Sequence, residues 1–94
     1  MLNYVVEFIG TFLFLSVIVA TGQPILIALS LLLVILVGGG ISGGHFNPAV
    51  SVMFYAKGAL SSVDLGGYIL AQLAGGLAAL ATYTALTRKS LNAV

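Results

Sequence analysis

Between Phe8 and Ala56 the chain carries no Asp, Glu, Lys or Arg, an uncharged run of 49 residues. One crossing of a bilayer core about 30 Å thick takes about 20 apolar residues, so this run holds roughly two and a half crossings. A second uncharged run, the 23 residues from Leu65 to Thr87, is long enough for one more. The whole chain has five charges: Glu7, Asp64, Lys57, Arg88 and Lys89. Charged residues make up 5% of the sequence, against roughly 25% in a soluble domain, so the surface suits lipid rather than water. The expected class is an all-α, multi-pass integral membrane protein. Three scattered cations make no nucleic-acid-binding patch. With no Cys, disulfides and thiolate metal sites are excluded. A lone His with no pattern of acid and base partners argues against an enzyme, a metal site or a cofactor. The N-terminus lacks the basic start of a signal peptide and its apolar stretch runs too long for one.

Breaker residues divide these runs. A first span is expected over about 3–20, closed by Thr21-Gly22-Gln23-Pro24, where Gly ends one helix and Pro opens the next. A second span is expected over about 24–37, antiparallel to the first because the connection is short. Five glycines in the nine residues Gly38 to Phe46 predict an irregular loop at 38–46. In a membrane such backbone survives only where protein buries it or where it lines a wet cavity. Asn47 then caps and Pro48 opens a nine-residue helix over 48–56, ended by Lys57-Gly58. At about 1.5 Å per residue this helix crosses only about half the bilayer. It reads as a re-entrant segment that dips to the midplane and returns. A third span is expected over about 63–87. Ser61 and Asp64 stand at capping-box spacing before it, and Arg88-Lys89 complement the dipole at its end. The fold class is therefore three transmembrane helices plus one re-entrant half-helix, in a single membrane domain over 1–94.

The half-helix carries the chemistry. Its N-terminus brings unsatisfied N–H groups and about half a positive charge to the midplane. The side-chain oxygen of Asn47 can cap those N–H groups, leaving its NH2 free to donate into a lumen. Backbone carbonyls of Gly43, Gly44, His45 and Phe46 can line the same lumen as acceptors. Such a track suits a small neutral hydrogen-bonding solute in single file and disfavours cations.

Ser42-Gly43-Gly44-His45-Phe46-Asn47-Pro48-Ala49-Val50 resembles the first signature loop of the aquaporin and aquaglyceroporin family, the major intrinsic proteins. Glu7-Phe8-Ile9-Gly10-Thr11-Phe12 resembles that family's first-helix motif, and Gly67-Tyr68-Ile69-Leu70-Ala71-Gln72 with Gly75-Gly76 is similar to its third helix. The resemblance implies a pore for water or small solutes such as glycerol. Asn47, Pro48 and Ala49 would form the midplane tip. Glu7 would be a buried acceptor for the loop, and His45 and Gln72 would brace it.

The sequence also departs from the family pattern. Family channels have six spans and two Asn-Pro-Ala half-helices meeting end to end; this pattern holds three spans and one half-helix. Val50 stands where the family's second half has a filter Arg. Ile27 occupies a filter position that is often aromatic, Gly44 occupies the filter position in the loop, and Gly40 replaces a frequent His. A filter of such residues is apolar and has no fixed cation.

Half a channel can be completed by an inverted copy. The N-terminus and Lys57 lie on one side and Arg88 and Lys89 on the other, so the positive-inside bias is nearly nil, as dual topology requires. Gly67, Ala71, Gly75 and Ala79 form a small-residue stripe for close helix packing. That stripe serves either pairing between copies or packing against the first helix through Gly10. The expected partners are the lipid bilayer, the solute and a second copy in an antiparallel homodimer, with a higher oligomer open. The alternatives are a non-conducting structural or regulatory subunit, and a split-channel half that needs a distinct partner chain.

Overall fold

A computed structural model describes residues 1–92, with side chains through Arg88. Four helices follow in order: α1 (Leu2–Thr21), α2 (Pro24–Ser42), α3 (Pro48–Ala56) and α4 (Ser62–Asn92). Three of them, Leu2–Thr21, Pro24–Ser42 and Ser62–Arg88, are long and apolar enough to cross a membrane. Large apolar side chains such as Leu36, Val37, Leu70 and Leu77 are more than two-thirds exposed, as lipid-facing or partner-facing surfaces require.

Helix ends follow local chemistry. Gly22 closes α1 in the left-handed conformation, its N–H donating to Ile18 O at 3.0 Å, and Pro24 opens α2. Ser61 accepts a hydrogen bond from the Asp64 N–H at 3.1 Å, but the capping box is only half made. The Asp64 carboxylate instead accepts from the Tyr4 hydroxyl at 2.6 Å, pinning the start of α4 to the start of α1. These two helices therefore run parallel, with α2 antiparallel between the loops. The third apolar span, Ser62–Arg88, ends close to the expected Thr87, but its helix does not stop there. The helix continues to Asn92, so Arg88 lies within it, and the Lys89 side chain falls outside the described residues. At about 1.5 Å per residue, α4 outreaches a 30 Å hydrocarbon core.

The largest correction concerns α2, expected to stop at Val37. It runs through Gly38-Gly39-Gly40 to Ser42, where Gly43 caps it with φ 90° and donates to Gly39 O at 2.9 Å. Glycine disfavours a helix by about 1 kcal/mol each. In lipid, however, an open backbone has no water to bond, so continuing the helix is favoured. Packing needs the glycine too: a Cβ on Gly38 would lie 2.7 Å from a Val6 methyl. The irregular loop is consequently Gly43 to Asn47 rather than nine residues.

Helices α1 and α4 form the main interface. A Cβ on Gly75 would sit 2.7 Å from Phe8 O and 3.1 Å from Phe12 N, and one on Gly67 would overlap the Tyr4 ring. Gly75 and Ala79 are buried, with Gly67 and Ala71 half-buried. The contacts of Gly67 and Gly75 thus set this part of the small-residue stripe against α1 of the same chain. Gly10, the expected counterpart, faces the Phe46 ring instead.

Candidate functional site: the re-entrant tip and its buried brace

The loop from Gly43 to Asn47 is built around one carboxylate. Glu7 is fully buried, and each of its oxygens accepts two hydrogen bonds. Oε1 accepts from Phe46 N at 2.7 Å and Gln72 Nε2 at 2.9 Å; Oε2 accepts from the Ser42 hydroxyl at 2.7 Å and His45 N at 3.1 Å. An ionised carboxylate only accepts and has about four lone-pair sites, so all are used. Four donors from α2, the loop and α4 converge on one side chain of α1.

The remaining brace is continuous with it. Gln72 Nε2 also donates to Ser51 Oγ at 2.9 Å, and Ser51 Oγ lies 2.8 Å from His45 Nδ1. The Ser51 hydroxyl, with one donor and two acceptor sites, therefore joins Gln72 to the His45 ring. The His45 ring stacks on Phe54 at 4.7 Å, and the Tyr68 hydroxyl donates to Ser42 O at 2.6 Å. His45 is thus a buried bracing side chain, and its ring does not face the expected lumen. The same is true of Phe46, whose ring is 2% exposed and wedged over Gly10 and Gly38. Its φ of 52° is left-handed, a strain of roughly 1 kcal/mol or more that burying the ring offsets.

These bonds sort the loop's polar groups. The N–H groups of Gly43, Gly44, His45 and Phe46 all donate inward, to Gly39 O, Ser42 Oγ and the two Glu7 oxygens. The carbonyls of the same four residues accept no hydrogen bond among the described residues. Left-handed Gly43 and Gly44, at φ 90° and 68°, produce the twist that separates donors from acceptors.

The tip follows. Asn47 Oδ1 accepts from Ala49 N at 2.8 Å, so the side-chain NH2 has no role in the cap. Asn47 and Ala49 are exposed, and Pro48 and Val50 half-buried. Around Asn47 and Pro48 lie Thr11 and Phe14, near the middle of α1, and Leu73 and Gly76, near the middle of the spanning part of α4. The tip therefore lies level with the middles of the two spanning helices. On its far side the cleft between α1 and α4 continues as a cavity of about 350 Å³. A further hollow of about 160 Å³ between the ends of the same helices includes Ser16, Ala20, Thr82 and Tyr83. Helix α3 packs along α4, and its N-terminal end at Asn47 and Pro48 borders the cleft between α1 and α4. Ile27 sits in the first turn of α2, half-buried and remote along the helix from the loop. No group of three or more His, Cys, Asp or Glu suited to a metal occurs among the described residues.

Ser42, Ser51 and Tyr68 were not singled out as site residues by the sequence reading. The available signal was small polar residues on both flanks of the loop in an apolar stretch, where each buried hydroxyl needs a partner.

Comparison with known proteins agrees with this geometry. The sequence pattern of the family described as Major intrinsic protein matches residues 22–94. The chain is 40% identical over 88 residues to Glycerol uptake facilitator protein-like 6 of Lactiplantibacillus plantarum, covering 84% of this chain and 41% of that protein. It is 40% identical over 60 residues to Aquaglyceroporin AqpS of Rhizobium meliloti, covering 64% of this chain and 23% of that protein. It is 42% identical over 60 residues to Aquaporin Z of Photorhabdus laumondii, covering 64% and 26%. The chain thus spans less than half the length of these curated relatives. No solved structure matches. With a family match over most of its length and three helices able to span a bilayer, the chain is an integral membrane protein that belongs to the major intrinsic protein family.

Proposed function

We propose that the chain forms half of a passive channel for water and small neutral hydroxylated solutes, completed by a second, inverted copy. One observation carries the reading: four consecutive loop residues direct every N–H into protein, and their carbonyls have no partner among the described residues. In lipid such carbonyls are tolerated only where they line a wet passage. They act as successive acceptors, and the Asn47 NH2 acts as the donor at the midplane. The positive end of α3 disfavours cations there, and a few carbonyls rehydrate an ion poorly. The solute class is supported by relatives named for glycerol uptake, as an aquaglyceroporin and as an aquaporin. In the completed pair, Ile27 of one copy with Gly44 and Val50 of the inverted copy would supply an apolar filter that admits a polyol as readily as water.

The second copy is supported by the groove. The half of the α1–α4 cleft beyond Asn47 suits another α3 arriving from the opposite face, tip to tip. An inverted copy needs insertion both ways, which the balanced charges permit. The small-residue stripe is already engaged within one chain, so pairing uses the cleft.

Proteoliposomes in an osmotic gradient test the proposal. Shrinkage faster than in empty vesicles, lowered at least several-fold by Asn47→Asp, is the expected result. Rates equal to those of empty vesicles refute conduction.

A further inference from the structure

A separate hollow of about 240 Å³ lies between α1 and α2 and shares only Phe46 with the lining of the α1–α4 cleft. Its walls are α1 from Val6 to Leu13, α2 from Leu33 to Ile41, and the Phe46 ring. Every lining residue is apolar or glycine. The mouth is open: Leu13, Leu33 and Val37 are 49%, 60% and 74% exposed, while Val34, Gly38 and Phe46 are buried beneath them. Both helices are long and apolar enough to span a bilayer, and the walls cover the central turns of α1. The mouth therefore opens on hydrocarbon rather than on water.

Position and shape decide what fills the hollow. A buried water needs two to four polar partners, and no side chain of this lining is polar. Left empty, the walls forfeit their dispersion contacts. At 1.5 Å per residue the walls are about 10–12 Å long, which makes the hollow a slot roughly 5 Å wide. A helix with its side chains is about 10–12 Å across, so it can insert a side chain here but not its backbone. One extended hydrocarbon chain is thin enough to lie along the slot, and the surrounding bilayer supplies it.

We infer that this groove is a lipid-binding site that holds one acyl chain of a bilayer phospholipid. The chain lies between α1 and α2 and packs on the Phe46 ring. Its gain is contact rather than transfer out of water, since lipid tails are as apolar as the walls. Phe46 joins the site to the re-entrant loop: its ring closes the groove, its N–H donates to Glu7 Oε1, and its backbone is left-handed. The seated chain thus backs the strained residue of the loop from the lipid side. The site does not rest on conduction, because a chain that passes no solute has the same groove.

Cross-relaxation from lipid-chain protons to leucine and valine methyls tests the site, in deuterated, methyl-labelled protein in phosphatidylcholine nanodiscs. A seated chain stays longer than a bulk one. The methyls of Leu33 and Val37 are therefore expected to receive several-fold more transfer than those of Leu36 and Leu70, which are 71% and 70% exposed outside the groove. Perdeuterated acyl chains are expected to abolish the excess. Leu33→Phe, which sets a ring across the mouth, is expected to lower Val37 to the level of Leu36. Equal transfer to all four residues in wild type overturns the site, as does an unchanged Val37 in Leu33→Phe. An excess that survives chain deuteration, or that passes between two differently labelled copies, overturns it in favour of a second copy. Should the phenylalanine variant fail to fold, the wild-type comparison still decides the matter.

Discussion

The two sides of Asn47 make opposite bargains with the membrane. On the α3 side Glu7 gathers four buried donors. On the far side the same two helices, α1 and α4, border an open cleft, and beside it the buried Thr11 hydroxyl and Gln72 carbonyl have no partner among the described residues. The first region is finished within one chain, and the second is left open. This contrast teaches where stability resides and where function resides. Changes to the brace should abolish the fold, whereas changes to the cleft should leave the fold and remove activity.

The largest expected effect is that of Glu7→Leu. It strands two backbone N–H groups, a serine hydroxyl and the Gln72 amide at roughly 1–3 kcal/mol each, comparable with the whole stability of a domain. A monodisperse peak with cooperative thermal unfolding in detergent is expected to vanish, and survival of both would show that the brace is not what holds the loop. Next comes Leu77→Trp. Leu77 lines the cleft and is 68% exposed, so a larger ring occupies the far half of the groove without disturbing α1 or α3. Vesicle flux is expected to fall to background while the unfolding temperature holds; unimpaired flux would mean that the cleft receives no partner.

Smaller effects sharpen the same contrast through two glycines. A methyl at Gly75 meets the carbonyl oxygen of Phe8 at 2.7 Å, whereas one at Gly40 meets nothing within 4 Å. Gly75→Ala is expected to destabilise by about 1–3 kcal/mol through overpacking. Gly40→Ala is expected to be neutral or stabilising by up to about 1 kcal/mol through helix propensity. Comparative unfolding in detergent checks the order, and equal effects would show that α1 and α4 do not pack as closely as described.

Legibility in the sequence divides along physical lines. The cap of α3 was readable because Asn-Pro chemistry is local: an amide oxygen finds an N–H two residues on, whatever surrounds it. The continuation of α2 through three glycines was not readable, because propensities reflect competition with water and this segment has none. The burial of Glu7 and Gln72 followed from resemblance; their bond joins residues 65 apart and has no local signature. The stripe on α4 showed in the sequence as a stripe, but spacing alone does not say which helix fills it. Thr11 escaped notice for a related reason. A threonine in a helix ordinarily bonds its own backbone, and only the packing against Gly75 shows that this one does not.

Cross-linking of single cysteines tests completion by an inverted copy most directly, since the native chain has none. Ala49 is exposed at the midplane tip, and Ala59 is exposed in the loop between α3 and α4. In an antiparallel pair the two tips meet while the two loops lie on opposite faces of the bilayer. Oxidised vesicles are expected to yield a disulfide dimer with Ala49→Cys and none with Ala59→Cys. A dimer formed only by Ala59→Cys, or by neither variant, would contradict the inverted pair.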